Sequence, residues 1–105
     1  MDTFSALAVP TRRTILEILA SCGNLSATEI GNNFSISAPA ISQHLKVLTE
    51  TGLLTVEKQA QRRIYGINAK KFSEVQSWAA NTLDLWDRRL DTLDHVLQIS
   101  GEVKE

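Results

Sequence analysis

The stretch SISAPAISQHLKVLTETGLL, residues 35–54, constrains the fold of this chain more than any other segment. Its apolar residues Ile41, Leu45 and Leu48 are spaced by four and three, which places them on one buried face of a helix. The opposite face carries small, amide or single basic side chains, not the Glu/Lys mixture that is usual on a solvated helix. Its members are Ala38, Pro39, Ser42, Gln43 and Lys46. We therefore expect this face to contact something other than water.

Signals at the helix ends define a pair of helices here. Ser37 is a suitable N-cap, and Pro39 falls in the first turn, where its missing N–H costs nothing. Gly52 ends the helix. A shorter helix precedes it, because Ser26 and Glu29 have the spacing of a capping box. The three residues SIS form the turn between the two, so the pattern predicts a helix-turn-helix.

The flanking segments predict two further helices and a hairpin. Residues 3–8 form a short helix that Pro10 interrupts, and Thr11 is expected to cap a second helix that runs to about Ser21. Two strands, 53–58 and 62–67, are joined by the short polar link Gln-Ala-Gln, which predicts a β-hairpin. The expected fold is mainly α with a small β-hairpin, a winged helix-turn-helix followed by a long C-terminal helix.

The unusual outer face of the fourth helix fits the major groove of DNA. Small residues permit close approach and contact with thymine methyl groups, an amide pairs bidentately with adenine, and a cation suits guanine or phosphate. The predicted DNA-binding residues on this helix are Ser37, Ala38, Pro39, Ser42, Gln43 and Lys46. Arg62 and Arg63 of the hairpin are predicted to contact phosphates.

The C-terminal segment 70–98 predicts a dimer. It contains neither Gly nor Pro, and a helix of about 29 residues would be roughly 43 Å long. A body of about 70 residues measures only about 25–30 Å across, so the helix should overhang it. The overhang carries a heptad-like apolar seam of Leu83, Trp86, Leu90, Leu93 and Leu97. A partner copy would bury this seam, with Phe4 and Leu7 as a second contributor. Alternatively, the helix breaks near residues 81–82 and folds back over its own core.

Composition is that of one globular domain of 105 residues, with a DNA-binding core at 1–69 and a dimerisation helix at 70–98. The net charge of −1 conceals an asymmetry. Residues 1–71 carry eight Lys/Arg and five Asp/Glu, a balance of +3, whereas residues 72–105 carry three and seven, a balance of −4. The first part therefore tolerates a phosphate backbone better than the second.

Several classes of protein are not expected. The N-terminus lacks the pattern of a secretory signal, no apolar run approaches a membrane span, and Cys22 is the single cysteine, all of which fits the cytoplasm. Two histidines and no Gly-rich phosphate loop give no support for catalysis. The one histidine among the aspartates of the last helix, His95, does not make a zinc site, so neither a metal nor another cofactor is expected.

Three segments together resemble the ArsR-type family of bacterial winged-helix repressors. They are ALAVPTRRTILEIL, LSATEIGNNFSISAPAISQHLKVLTETGLL and RRIYGIN. The resemblance covers nearly the whole chain, and the tail WAANTLDLWDRRLDTLDHVL is similar to a branch of small autorepressors without a metal site. It implies a homodimer on an inverted-repeat DNA operator that blocks transcription until a signal releases it. The chain departs from the family pattern at the wing tip, where Ala60 and Gln61 replace a glycine and an arginine.

Simpler interpretations stand beside these. Ser37 could serve only as an N-cap, and Arg12 and Arg13 could contact phosphate or be a solvated pair. His44 is expected to be a packed, hydrogen-bonded residue at the edge of the core, and Cys22 a buried structural thiol. For the whole chain, the alternative function is a winged-helix protein-interaction module without DNA binding.

Overall fold

The computed structural model describes the backbone of residues 1–100 and the side chains of residues 1–93. Its elements are α1 (Thr3–Leu7), α2 (Pro10–Cys22), β1 (Leu25–Ser26), α3 (Ala27–Gly31), α4 (Ala38–Glu50), β2 (Leu54–Gln59), β3 (Arg62–Ile67) and α5 (Ala69–Ser100). Contacts divide the chain into two units, a body of Met1–Phe72 and a second unit that begins at Ser73. This order is a winged helix-turn-helix with a long last helix, as the sequence predicts.

One hydrophobic core holds the body together. Its members are Ala6, Ile15, Leu16, Leu19, Ile30, Ile41, Leu45, Val47, Leu48, Leu53, Leu54 and Tyr65. The predicted inner face of α4 is confirmed, because Ile41, Leu45 and Leu48 are all buried. Burial of a side chain of this size contributes about 1.5–3 kcal/mol, so this face fixes α4 on the body and leaves its other face outward.

The helix ends largely follow the local signals. Ser26 and Glu29 form the predicted capping box, and Ser37 caps α4. The prediction that Thr11 caps α2 is wrong. The N-cap is Val9, and Pro10 is the first helical residue. Proline has a φ already suited to this position and no N–H to satisfy, so α2 begins without a side-chain cap.

A Schellman motif ends α4. The N–H of Gly52 donates to the carbonyl of Thr49 at 3.1 Å, and the N–H of Leu53 donates to that of Leu48 at 3.0 Å. Gly52 has a φ of 84°, the left-handed conformation that this motif requires and that glycine adopts without strain. Leu48 and Leu53 are both fully buried, so the motif directs the chain from α4 into the hairpin through the core.

The sheet has three strands in the order β1-β3-β2, all antiparallel. Strand β1 was not predicted, because two residues are too few to show alternation. The hairpin loop is shorter than expected. Gln59 pairs with Arg62, which leaves Ala60 and Gln61 as a two-residue turn. Ala60 has a φ of 56°, a conformation that favours glycine in such turns.

Helix α5 is continuous from Ala69 to Ser100. It begins one residue before the predicted start. Its seam residues Leu83, Trp86, Leu90 and Leu93 are between 42% and 59% exposed in the single chain. Leu97, the last predicted seam residue, lies outside the described side chains. None of the helices in the part searched is long and apolar enough to cross a membrane.

Candidate nucleic-acid interface

A groove of about 800 Å³ runs between the outer face of α4 and the β2–β3 wing. From α4 it is lined by Pro39, Ser42, Gln43, Lys46, Thr49 and the carboxylate of Glu50. Val56, Gln61, Arg62, Arg63 and Tyr65 line it from the wing, and Ser26, Ala27 and Thr28 close it at the start of α3. The groove therefore brings together six of the eight predicted DNA-binding residues, from two elements that are separate in the sequence.

The two remaining residues, Ser37 and Ala38, lie outside this groove. Ala38 lines a second groove of about 400 Å³ between α3 and α4, together with Ile36 and Ile41. The Ser37 hydroxyl oxygen accepts the N–H of Ala40 at 3.2 Å, so its role as an N-cap is confirmed. Both side chains are exposed at the start of α4, where they are open to a bound molecule.

The exposed face of α4 keeps the composition that the sequence shows. Ser42, Gln43 and Lys46 are exposed, whereas the inner face of Ile41, Leu45 and Leu48 is buried. A hydroxyl, an amide and an ammonium group thus follow one another along the rim of the groove. Their donors and acceptors match those on the edges of base pairs.

The two predicted wing cations differ in their surroundings. The guanidinium of Arg62 donates to the Glu29 carboxylate, with Nη2 and Oε1 3.2 Å apart. Within the described part of the chain, no ion pair holds Arg63. Both arginines are exposed and line the groove, so both can reach an anion placed in it.

Sequence reasoning missed a third wing cation, Lys58. The hairpin register places it directly opposite Arg63, on the strand face that also carries Val56 and Tyr65. Like charges directly opposite each other destabilise a sheet. An anion bound against the wing would offset this repulsion. The sequence analysis assigned a three-residue loop, Gln-Ala-Gln, which does not pair Lys58 with Arg63. A two-residue loop gives this pairing, because Gln59 then belongs to β2 and pairs with Arg62.

Arg12 fits neither of the two interpretations proposed for it, whereas the exposed Arg13 contradicts neither. Arg12 is buried, and its Nε donates to the carbonyl of Ala6 at 3.1 Å. Arg13 is exposed, and its Nη1 donates to the carbonyl of Leu7 at 2.7 Å. These carbonyls belong to the end of α1, where helical carbonyls lack partners and cations stabilise the helix. Both arginines therefore connect α2 to the end of α1 by hydrogen bonds.

Two further side chains also differ from expectation. His44 is half-buried as predicted, but its buried Nδ1 makes no hydrogen bond within the described residues. Burial, and secondly the charge of Arg12, lower the pKa of His44, so the neutral imidazole is favoured. Cys22 is exposed at the end of α2, which contradicts its assignment as a buried structural thiol.

The predicted dimerisation residues are apolar and largely accessible. Phe4 is 45% exposed, whereas Leu7 is partly buried against the core. The described part of the α5 seam is exposed along its whole length. Trp78 and Leu85, seven residues apart, add exposed apolar area outside the predicted seam.

The fold and the groove define a winged helix-turn-helix protein with an exposed recognition face. Residues 9–56 match the family described as bacterial regulatory protein, arsR family. The chain is 32% identical to the transcriptional repressor SdpR of Bacillus subtilis over 85% of this chain and 98% of the relative.

Solved structures agree. An ArsR-like transcriptional regulator from Rhodococcus sp. RHA1 superposes with a TM-score of 0.80 at 27% identity, over 89% of this chain and 87% of that one. The homodimeric winged helix-turn-helix DNA-binding domain Mb0332 of Mycobacterium bovis shares the fold, with a TM-score of 0.61 at 24% identity over 76% and 73%.

The chain belongs to the arsR family of bacterial regulatory proteins. The chain is therefore a DNA-binding transcriptional regulator, and the alternative of an interaction module without DNA binding is not supported.

Proposed function

We propose that the chain is a homodimeric transcriptional repressor that binds an inverted-repeat DNA operator. The observation that carries this proposal is the groove in which the polar outer face of α4 and the cations of the wing face one ligand space. A duplex is a ligand with both of the required features, since base edges lie between two rows of phosphates.

Residues of α4 read the bases in this proposal. Gln43 pairs through its amide with an adenine, and Lys46 donates to a guanine or to a phosphate. Ser42 donates or accepts at a neighbouring base edge. Ala38 and Pro39 allow α4 to approach closely and contact thymine methyl groups, while Ser37 fixes the start of the helix near the backbone.

The wing supplies the phosphate contacts. Arg62, Arg63 and Lys58 neutralise backbone charge beside the groove, and each released counterion makes binding more salt-dependent. Phosphate contacts hold the register of α4 on the duplex but carry no sequence information. Loss of a wing cation should therefore weaken binding to all sequences alike.

Dimerisation through α5 places two copies of α4 on the same side of the duplex. The seam of Leu83, Trp86, Leu90 and Leu93 is exposed in the single chain. Burial of one such side chain in an interface would stabilise the dimer by about 1.5–3 kcal/mol. The Mycobacterium bovis domain that shares this fold is homodimeric, which supports a homodimer of the present chain. Two recognition helices about 34 Å apart would contact successive major grooves.

Repression follows from occupancy, because a dimer bound across a promoter excludes other proteins from the same DNA. The Bacillus subtilis relative is itself named a transcriptional repressor. In this proposal the protein acts in the cytoplasm of a bacterial cell, where the chromosome lies.

Binding to the chain's own promoter tests the proposal. Fluorescence anisotropy would compare wild type with Gln43→Ala and Lys46→Ala, on promoter DNA and on random-sequence duplex. Gln43→Ala should weaken promoter binding by about 1–3 kcal/mol and leave random-sequence binding nearly unchanged. Matched control variants are Gln76→Ala and Lys70→Ala, which remove the same side-chain types from exposed positions on α5. Equal losses in the Gln43→Ala variant and its control would show that Gln43 reads no base.

A further inference from the structure

The ion pair between Glu29 and Arg62 connects α3 to the wing across 33 residues of sequence. One carboxylate oxygen, Oε1 of Glu29, accepts from two donors. These are the N–H of Ser26 at 2.8 Å and the guanidinium of Arg62 at 3.2 Å. The Ser26 hydroxyl in turn accepts the N–H of Glu29 at 3.2 Å, which completes the capping box.

The capping box fixes the carboxylate whether or not Arg62 is present. Both of its hydrogen bonds are local, and the one that the Ser26 N–H donates to the carboxylate stabilises the ionised form. Hydrogen bonding by Ser26 lowers the pKa of Glu29 more than the charge of Arg62 does. Arg62 therefore meets a negative charge that is already in place. A guanidinium binds a carboxylate and a phosphate through the same donors.

We infer that Glu29 acts as an internal substitute for a DNA phosphate. It holds Arg62 in the free protein, and it must release the guanidinium when a phosphate of the duplex binds there. This inference rests on the proposed function, because it assumes that Arg62 contacts DNA. Glu29 thereby weakens binding to every sequence, since a phosphate carries no sequence information.

Solvent exposure keeps this competition modest. The side chains of Arg62 and Glu29 are 59% and 49% exposed, so water and salt screen the pair. A row of phosphates can therefore displace Glu29. We expect the pair to lower DNA affinity by about two- to fivefold for each subunit.

Glu29→Gln is the variant of choice, because glutamine also completes a capping box and so preserves α3. It removes the anion that holds Arg62 without removing the hydrogen bond to Ser26. The matched control is Glu57→Gln, which changes the net charge equally at an exposed position on β2. Thermal unfolding would confirm that each variant keeps the stability of wild type within a few degrees.

The test is a double-mutant cycle on random-sequence duplex, read by fluorescence anisotropy at several salt concentrations. The variants are Glu29→Gln, Arg62→Gln and the combination of the two. Glu29→Gln should raise affinity about two- to fivefold for each subunit beyond the Glu57→Gln control, with a steeper dependence on salt. In the Arg62→Gln background the same change should have no effect beyond that of the control.

Two results would overturn the inference while leaving the proposed function intact. One is weaker binding by Arg62→Gln together with no gain from Glu29→Gln. The other is an equal gain with and without Arg62, which would mean that Glu29 simply repels DNA. Absence of DNA binding by wild type at any salt concentration would instead overturn the proposed function and the inference together.

Discussion

The body of Met1–Phe72 and the described part of α5 beyond it differ in where their large apolar side chains lie. In the body, residues such as Ile15, Leu45 and Leu48 are buried within the same chain. Beyond Phe72, residues such as Leu83 and Trp86 are more than half exposed. The body thus has an apolar core within one chain, whereas α5 exposes the apolar surface that we propose a second copy covers.

This difference separates two sources of stability. A core within one chain stabilises the fold at any protein concentration, but an interface between copies depends on concentration by mass action. Variants in the two regions should therefore respond differently to dilution, as the first two predictions below state, whereas the last two concern the body alone.

The largest effect is expected from Leu90→Asp in the α5 seam. Two copies of Leu90 would be lost from one interface, at about 1.5–3 kcal/mol each, so the dimer should weaken by about 10²- to 10⁴-fold. Analytical ultracentrifugation would measure this shift. Asn81→Asp adds the same charge at an exposed position on another side of α5 and should leave the dimer intact. A wild type that is monomeric at micromolar concentration would remove the basis of the comparison.

Next in size is Leu45→Ala in the core of the body. Leu45 is fully buried, and such a truncation typically costs about 2–5 kcal/mol. Urea unfolding at two protein concentrations should show the loss at both. Leu85→Ala makes the same truncation at a 64% exposed position outside the seam and should cost less than about 0.5 kcal/mol. Equal losses at the two positions would mean that Leu85 is buried in the assembly.

A smaller effect is expected from Arg12→Met. The substitution keeps much of the apolar stem but leaves the carbonyl of Ala6 without its donor, at a cost of about 1–3 kcal/mol. Arg13→Met removes a similar bond at an exposed position, where water replaces the donor, and should cost clearly less. The free energy of unfolding in urea would measure both. A larger loss for Arg13→Met would show that α1 depends chiefly on that exposed bond.

The smallest effect is a pH dependence of stability from His44. Burial holds its folded pKa below the ordinary histidine value of 6.5, so the folded state resists protonation. The contribution of His44 is therefore complete above pH 6.5 and decreases as the pH falls towards its folded pKa. Thermal unfolding between pH 7.5 and 5 should show this decrease, and His44→Gln should flatten it. The lowered pKa values of Asp2 and Glu29 act at more acidic pH and should leave this window unchanged.

The sequence predicts best those features that depend on neighbouring residues. The capping box of Ser26 and Glu29 spans four residues, and the buried face of Ile41, Leu45 and Leu48 spans two turns of helix. The groove is a less direct case. Its α4 side was predicted from composition, but Lys58 was missed because its position depends on the length of the hairpin loop.

The sequence by itself therefore determined the helices, the caps of α3 and α4, the order of the helices and the hairpin, and the chemical character of the outer face of α4. Only the tertiary structure decided that Arg12 is buried against the end of α1, that Leu25 and Ser26 join the sheet, and that Glu29 holds Arg62. The reason is physical. Helix periodicity and capping come from hydrogen bonds between residues a few positions apart, so a short stretch of sequence is enough to predict them. A partner many residues away is fixed only when packing brings two elements together.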